Sequence, residues 1–187
     1  MAANRRIVGL AMSEMAGVGV LALLAYYLPL SGAAGMQDVW SVERVLAYLL
    51  LFMGPLFIFL PPVLLLRLGP VWLLGAGSWA LLGYVLVFVG APTRQEAGFF
   101  VYAAFLTLLF VALASALSVP AGAISRRMLP PARPNLEMVR AMRQGGLLAL
   151  FVVALLAMSP LGVLNWLNTL LVFTIVALTE FFFLARD

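Results

Sequence analysis

Long apolar runs parted by brief polar interruptions organise this chain. Apolar segments occupy about 7–30, 45–66, 71–89 and 99–119. A helix needs roughly 17–25 such residues to cross the hydrocarbon core of a bilayer. A further apolar stretch covers 147–184. As one helix it would be about 57 Å long, against a core of roughly 30 Å. It must therefore hold two spans, at about 145–160 and 165–184, with Ser159-Pro160-Leu161-Gly162 as the turn. The apolar runs are continuous and do not alternate, which argues against a membrane β-barrel. Open sheet would leave backbone groups unpaired in lipid. The expected fold is all-α: one polytopic transmembrane domain, 1–187, built as a bundle of six membrane-spanning helices.

One interruption is longer than the rest. The segment 124–144 carries Arg126, Arg127, Arg133, Arg140 and Arg143 against the single acid Glu137. Pro130-Pro131 and Pro134 stop a helix early in it. Asn135 is then a suitable N-cap. Leu136, Val139 and Met142 recur at threes, which predicts a short amphipathic helix on the membrane surface leading into the fifth span.

Charge sets the orientation. With the N-terminus inside, the cytoplasmic side holds nine of the eleven arginines: Arg5, Arg6, Arg67, Arg126, Arg127, Arg133, Arg140, Arg143 and Arg186. The outer side keeps Arg44 and Arg94. Positive charge collects on the cytoplasmic side of short loops, so both termini are expected in the cytoplasm. The first apolar run is too long for a signal-peptide core. An inner (plasma) membrane of a bacterium is the expected location, since every basic residue is arginine, as GC-rich coding favours.

Composition sharpens the picture mainly by exclusion. Apolar residues make up 65% of the chain and charged residues 10%, against about 45–50% and about 25% in ordinary soluble domains. Cysteine, histidine and lysine are all missing. That removes disulfides, thiolate chemistry, histidine ligation and lysine Schiff bases. No metal site, cofactor or catalytic residue is expected. The net charge of +4 is explained by membrane orientation, so no nucleic-acid partner is expected. Gly75-Ala76-Gly77-Ser78 resembles the serine motif of intramembrane serine proteases, but such a serine needs a base and no histidine exists to supply it. A lipid-processing enzyme would call for clustered acids, and the two intramembrane acids stand on separate helices.

Ionisable groups at membrane depth are costly and often functional. Glu14 sits about two turns into the first span. Gly9, Ser13 and Gly17 form a small-residue stripe beside it, the kind that lets helices approach closely, so Glu14 is expected to face protein. It is either a proton or cation site or the partner of an interfacial arginine. Glu180 lies near the cytoplasmic end of the sixth span. If the last turn centres near residue 162, Glu180 is level with Gln144 and adjacent to Arg143, which predicts an Arg143–Glu180 ion pair. Pro55, Pro61 and Pro62 interrupt the second span and form a candidate helix break, a feature of some transporter sites. Asn165, Asn168 and Thr169 share one face at the start of the sixth span, as a helix start at the outer interface requires.

These readings favour a non-catalytic integral subunit, scaffold or assembly component of a larger membrane complex. Its partners would be the lipid bilayer and other membrane subunits. Arg126, Arg127, Arg133 and Arg140 would meet such a partner or anionic lipid headgroups. The alternative is a small transporter, or the substrate-binding membrane component of one, working through Glu14, Glu180 and a broken second span.

Overall fold

The computed structural model describes residues 2–35, 38–66, 69–90, 94–128 and 134–186, with side chains described for 10–35, 38–61, 73–90, 98–125 and 136–185. All regular structure among them is helical. Five helices are long and apolar enough to cross a membrane, and a sixth apolar helix, Leu73–Val89, is shorter. This is a multi-pass membrane helical protein. The chain divides into two compact units, Met1–Ala91 and Pro92–Asp187.

The first unit is a run of three helices in which the middle one packs on both others. They are α1 (Ala2–Ser31), α2 (Val42–Leu66) and α3 (Gly69–Tyr84), and α3 continues into a π turn, Val85–Val89. Ser41 caps α2, its Oγ accepting the Arg44 N–H at 3.3 Å. Gly17 sets how closely α1 and α2 approach. A Cβ there would lie 2.9 Å from both the Gly54 carbonyl oxygen and the Ile58 nitrogen. The expected close-packing stripe is therefore real at Ser13 and Gly17; the packing of Gly9 lies outside the described side chains. Gly75 and Gly83 do the same for α3, meeting Phe59 and Leu51 of α2.

The candidate break in α2 is corrected by the structure. The helix runs from Val42 to Leu66 straight through Pro55, Pro61 and Pro62. A proline removes one backbone donor and orphans the carbonyl four residues before it. For Pro61 that carbonyl belongs to Phe57, and it is not left bare: Ser13 Oγ of α1 donates to it at 3.1 Å. Lipid offers no water to do this, so a neighbouring helix must. Pro61 is itself fully buried, and Pro55 is buried beside it. The side chain of Pro62 lies outside the described residues. Ser13→Ala is expected to cost about 0.6–1.7 kcal/mol, the range for interhelical hydrogen bonds in membranes. In a Pro61→Ala background the N–H of residue 61 returns and the same change should cost under half as much. A double-mutant cycle of denaturant unfolding in micelles measures this coupling, and additive losses would show that the hydroxyl does not serve the proline.

The second unit has the same plan. Its helices are α4 (Arg94–Met128), α5 (Pro134–Met158) and α6 (Trp166–Arg186). Helix α5 packs along α4 and also against α6. Helix α4 is broken at Gly98 (φ 72°, ψ 167°), so its regular part begins where the fourth apolar run does. Gly145 meets α4 at Ser118, with Ala141 and Ala149 buried one turn to either side. Here too a proline is served by a hydroxyl. Pro160 cannot donate to the Leu156 carbonyl, which accepts from Tyr102 Oη of α4 at 3.3 Å.

The expected loop 124–144 is much shorter than its charge suggested. Helix α4 continues to Met128, and α5 runs unbroken from Pro134 to Met158. The amphipathic segment and the fifth span are thus one helix, not a surface helix followed by a span. Pro134 stands at the first helical position, where its missing N–H costs nothing, so Asn135 is inside the helix and not its cap. The turn after α5 is a short 3-10 segment, Ser159–Leu161, closed by left-handed Gly162 (φ 69°, ψ 9°). Asn165 then caps α6: its Oδ1 accepts the Asn168 N–H at 2.8 Å, and its carbonyl accepts the Thr169 hydroxyl at 2.9 Å. Asn168 Nδ2 donates to the Val163 carbonyl at 2.6 Å. All three polar residues at this end serve the start of the helix.

Candidate functional site

The α5–α6 hairpin brings together the three polar side chains that lie level about residue 162. Arg143 and Gln144 are consecutive on α5, and both reach the Glu180 carboxylate on α6. Arg143 Nε donates to Oε2 at 3.2 Å, and Nη2 donates to Oε1 at 3.4 Å. Gln144 Nε2 donates to Oε1 at 2.9 Å. The fork-on-carboxylate arrangement combines charge with direction. Phe183, one turn beyond Glu180, offers its ring to the guanidinium, whose carbon is 4.9 Å from the ring centroid. The charges cancel within the cluster, and the two charged side chains remain 17% and 20% exposed.

A cleft of about 390 Å³ leads away from this cluster. Its floor is α5, from Gln144 through Leu147 and Leu148 to Phe151. One wall is α6, from Glu180 through Ala177 and Val176 to Phe173. Both stripes follow the i, i+3, i+4, i+7 spacing of one helix face. Each residue of one stripe is level with its mirror across residue 162. Phe151 and Phe173 close the far end edge to face, with centroids 6.0 Å apart. The other wall is Ala121 and Ile124 of α4. Helix α6 leans on α5 and scarcely touches α4, so the cleft opens between α4 and α6.

The remaining expected site residues are placed elsewhere. Glu14 is exposed on the surface of α1. Ser13 and Gly17 turn their face of α1 toward α2, and Glu14 falls on the flank of that stripe. Among the described residues no side chain pairs with it. Arg126 and Arg127 lie in the last turn of α4, their side chains outside the described set, and Arg133 lies outside the described residues altogether. Arg140 is on α5, partly buried and already engaged within the fold. Among the described residues, no three acids gather as metal ligands would.

A second polar feature escaped the sequence reading. Arg44 was counted as an outer-loop charge, yet it stands in the first turn of α2 and is 8% exposed. Its Nε donates to the Ala33 carbonyl at 3.2 Å, and its guanidinium carbon lies 5.1 Å from the Phe88 ring centroid. Tyr48 and Tyr84 complete the aromatic cluster, with Tyr48 5.1 Å from Phe88 and 5.5 Å from Tyr84. The signal was present as two i, i+4 pairs, Arg44/Tyr48 and Tyr84/Phe88, one on each of two adjacent spans. Searches against protein-family models, curated proteins and solved structures find no match for this chain.

Proposed function

We propose that the chain is a non-catalytic integral membrane subunit, a scaffold or assembly component of a larger complex in a bacterial plasma membrane. One observation carries this reading: the hydrogen bonds that serine, threonine, tyrosine and glutamine side chains donate within the spans go to carbonyls or side chains of their own or a neighbouring helix. Ser13 and Tyr102 serve carbonyls orphaned by prolines on the neighbouring helix. Ser115 and Ser118 bond back to carbonyls of their own helix, as do Thr174 and Thr179. Arg143, Gln144 and Glu180 lock one hairpin. The transport alternative drew on a broken second span, and it loses support from an unbroken α2. Native mass spectrometry of the protein, gently extracted from its host, tests the proposal. Stoichiometric membrane subunits should co-purify; a homogeneous monomer or homo-oligomer that carries solute across vesicle membranes would overturn it.

The reading includes six spans with both termini in the cytoplasm. Helix α3 and its π turn together cover Gly69–Val89, roughly 30 Å at 1.5 Å per residue and so enough to cross. The chain has no cysteine, so single cysteines report topology without background. Asp38→Cys and Ser159→Cys should react with a membrane-impermeant maleimide in intact spheroplasts. Arg133→Cys should react only after permeabilisation. Labelling of Arg133→Cys from outside would overturn this orientation.

A further inference from the structure

We propose that the α4–α5–α6 cleft is a lipid site, taking one acyl chain of an uncharged glycerolipid whose hydroxyl-bearing head sits at Gln144 and Glu180. The volume, about 390 Å³, falls in the range of roughly 300–1,000 Å³ typical of small-molecule sites, which are also mainly apolar with a few fixed polar groups. Leu147, Leu148, Phe151, Phe173 and Val176 supply the apolar part, and the polar atoms stand together at one end.

Length argues for a chain and against a helix. From Gln144 to Phe151 the floor spans seven residues, about 10 Å of helix axis. A helix laid along it would be held over only about two turns, whereas an extended chain of about that length is covered from end to end. The mouth between α4 and α6 admits a ligand sideways, as a lipid arrives. The polar end also has the right position, because Glu180 lies about 9 Å of helix axis before the end of α6 at Arg186. A head bound there is near the interface, and its tail points inward toward the Phe151–Phe173 pair.

Charge selects the head. The Arg143 guanidinium neutralises Glu180, so the end of the cleft presents no net charge to an anionic or cationic headgroup. A hydroxyl can donate to the carboxylate and accept from the carboxamide of Gln144, and it brings no charge into a low-dielectric site. A phosphate would meet the carboxylate at close range, and that repulsion is costly where water is scarce. Ala177 and Ala121 leave room on the two walls; larger side chains at either position would occupy the space of the tail.

The test uses the full chain in detergent micelles with 1-monodecanoylglycerol, read by native mass spectrometry. One molecule should be retained per chain. Ala177 is exposed in the protein alone, so Ala177→Leu and Ala177→Trp can be made with little strain on the fold. Retention should fall in that order, by at least ten-fold for Trp, with the thermal unfolding midpoint little changed. If the Trp variant fails to fold, the Leu variant still carries the test. Gln144→Leu should weaken retention several-fold. Equal retention in the Ala177 variants and the parent protein would reduce the bound lipid to its general annulus and overturn the site. Displacement by didecanoylphosphatidylglycerol or decanoate at equal concentration would overturn the choice of an uncharged head. The result is independent of whether partner subunits co-purify.

Discussion

Gly145→Ala is expected to unseat α5 from α4 and to produce the largest loss of stability among alanine substitutions at the glycines whose surroundings are described. A Cβ at residue 145 would lie 2.5 Å from the Ser118 nitrogen and 2.7 Å from its Cα. These are backbone atoms of a helix, so no rotamer change can relieve the overlap. The helices must separate by about 0.5–1 Å, and a gap of that size already forfeits a quarter to a half of each dispersion contact it touches. Van der Waals packing is the principal attraction between helices in lipid, because the tails are as apolar as the side chains. The loss should reach about 2–3 kcal/mol, the upper part of the range for overpacking. The neighbouring glycine is the control. Nothing lies within 4 Å of a Cβ at Gly146, so Gly146→Ala should be neutral or slightly stabilising, as alanine is the better helix former by about 1 kcal/mol. Both variants can be followed by thermal unfolding in the same detergent. Equal effects at the two positions would show that α4 and α5 do not meet at Ser118.

The second large effect concerns Glu180. Glu180→Gln takes the carboxylate away from the Arg143 guanidinium, and Arg143→Gln removes the charged donor from Glu180. Removing one partner of a fully buried pair costs about 3–5 kcal/mol, most of it for the charge left behind. Here both side chains keep roughly a fifth of their exposure, so about 1–2 kcal/mol is expected for each change. The double variant should lose clearly less than the sum, because it strands no charge. The coupling is read from a double-mutant cycle of unfolding. Additive losses would mean that the pair does not bind the hairpin together. Arg143→Lys is a useful third variant. It retains the charge but not the two-pronged contact, and should recover only part of the stability.

Much of the helix plan could be read from the sequence because lipid is a demanding solvent. Every backbone group in it must be satisfied within the helix, so apolar length alone marks where helices run. The turn at Ser159-Pro160-Leu161-Gly162 was equally legible, since proline and a left-handed glycine leave few alternatives. Once that turn is placed, hairpin symmetry puts Glu180 level with Gln144, and the side chains of Arg143 and Gln144 do the rest. The reach of α5 was not legible. Prolines and arginines in 124–144 look like a loop, yet Pro134 is compatible with the first turn of a helix and the arginines can line one side of it.

The sequence by itself determined that this protein is helical and multi-pass and carries no cysteine, histidine or lysine, for these follow from composition and from runs of residues along one chain. Tertiary structure decided which faces meet. Pro61 reads as a breaker until Ser13 of another helix is seen to take the Phe57 carbonyl. Arg44 reads as a loop charge until Phe88 and the Ala33 carbonyl are seen to enclose it. The cleft depends on α6 leaning on α5 and away from α4. Spacing along a helix gives the angle between two residues, but not which angle points at a neighbour; that is set by packing between segments far apart in the chain.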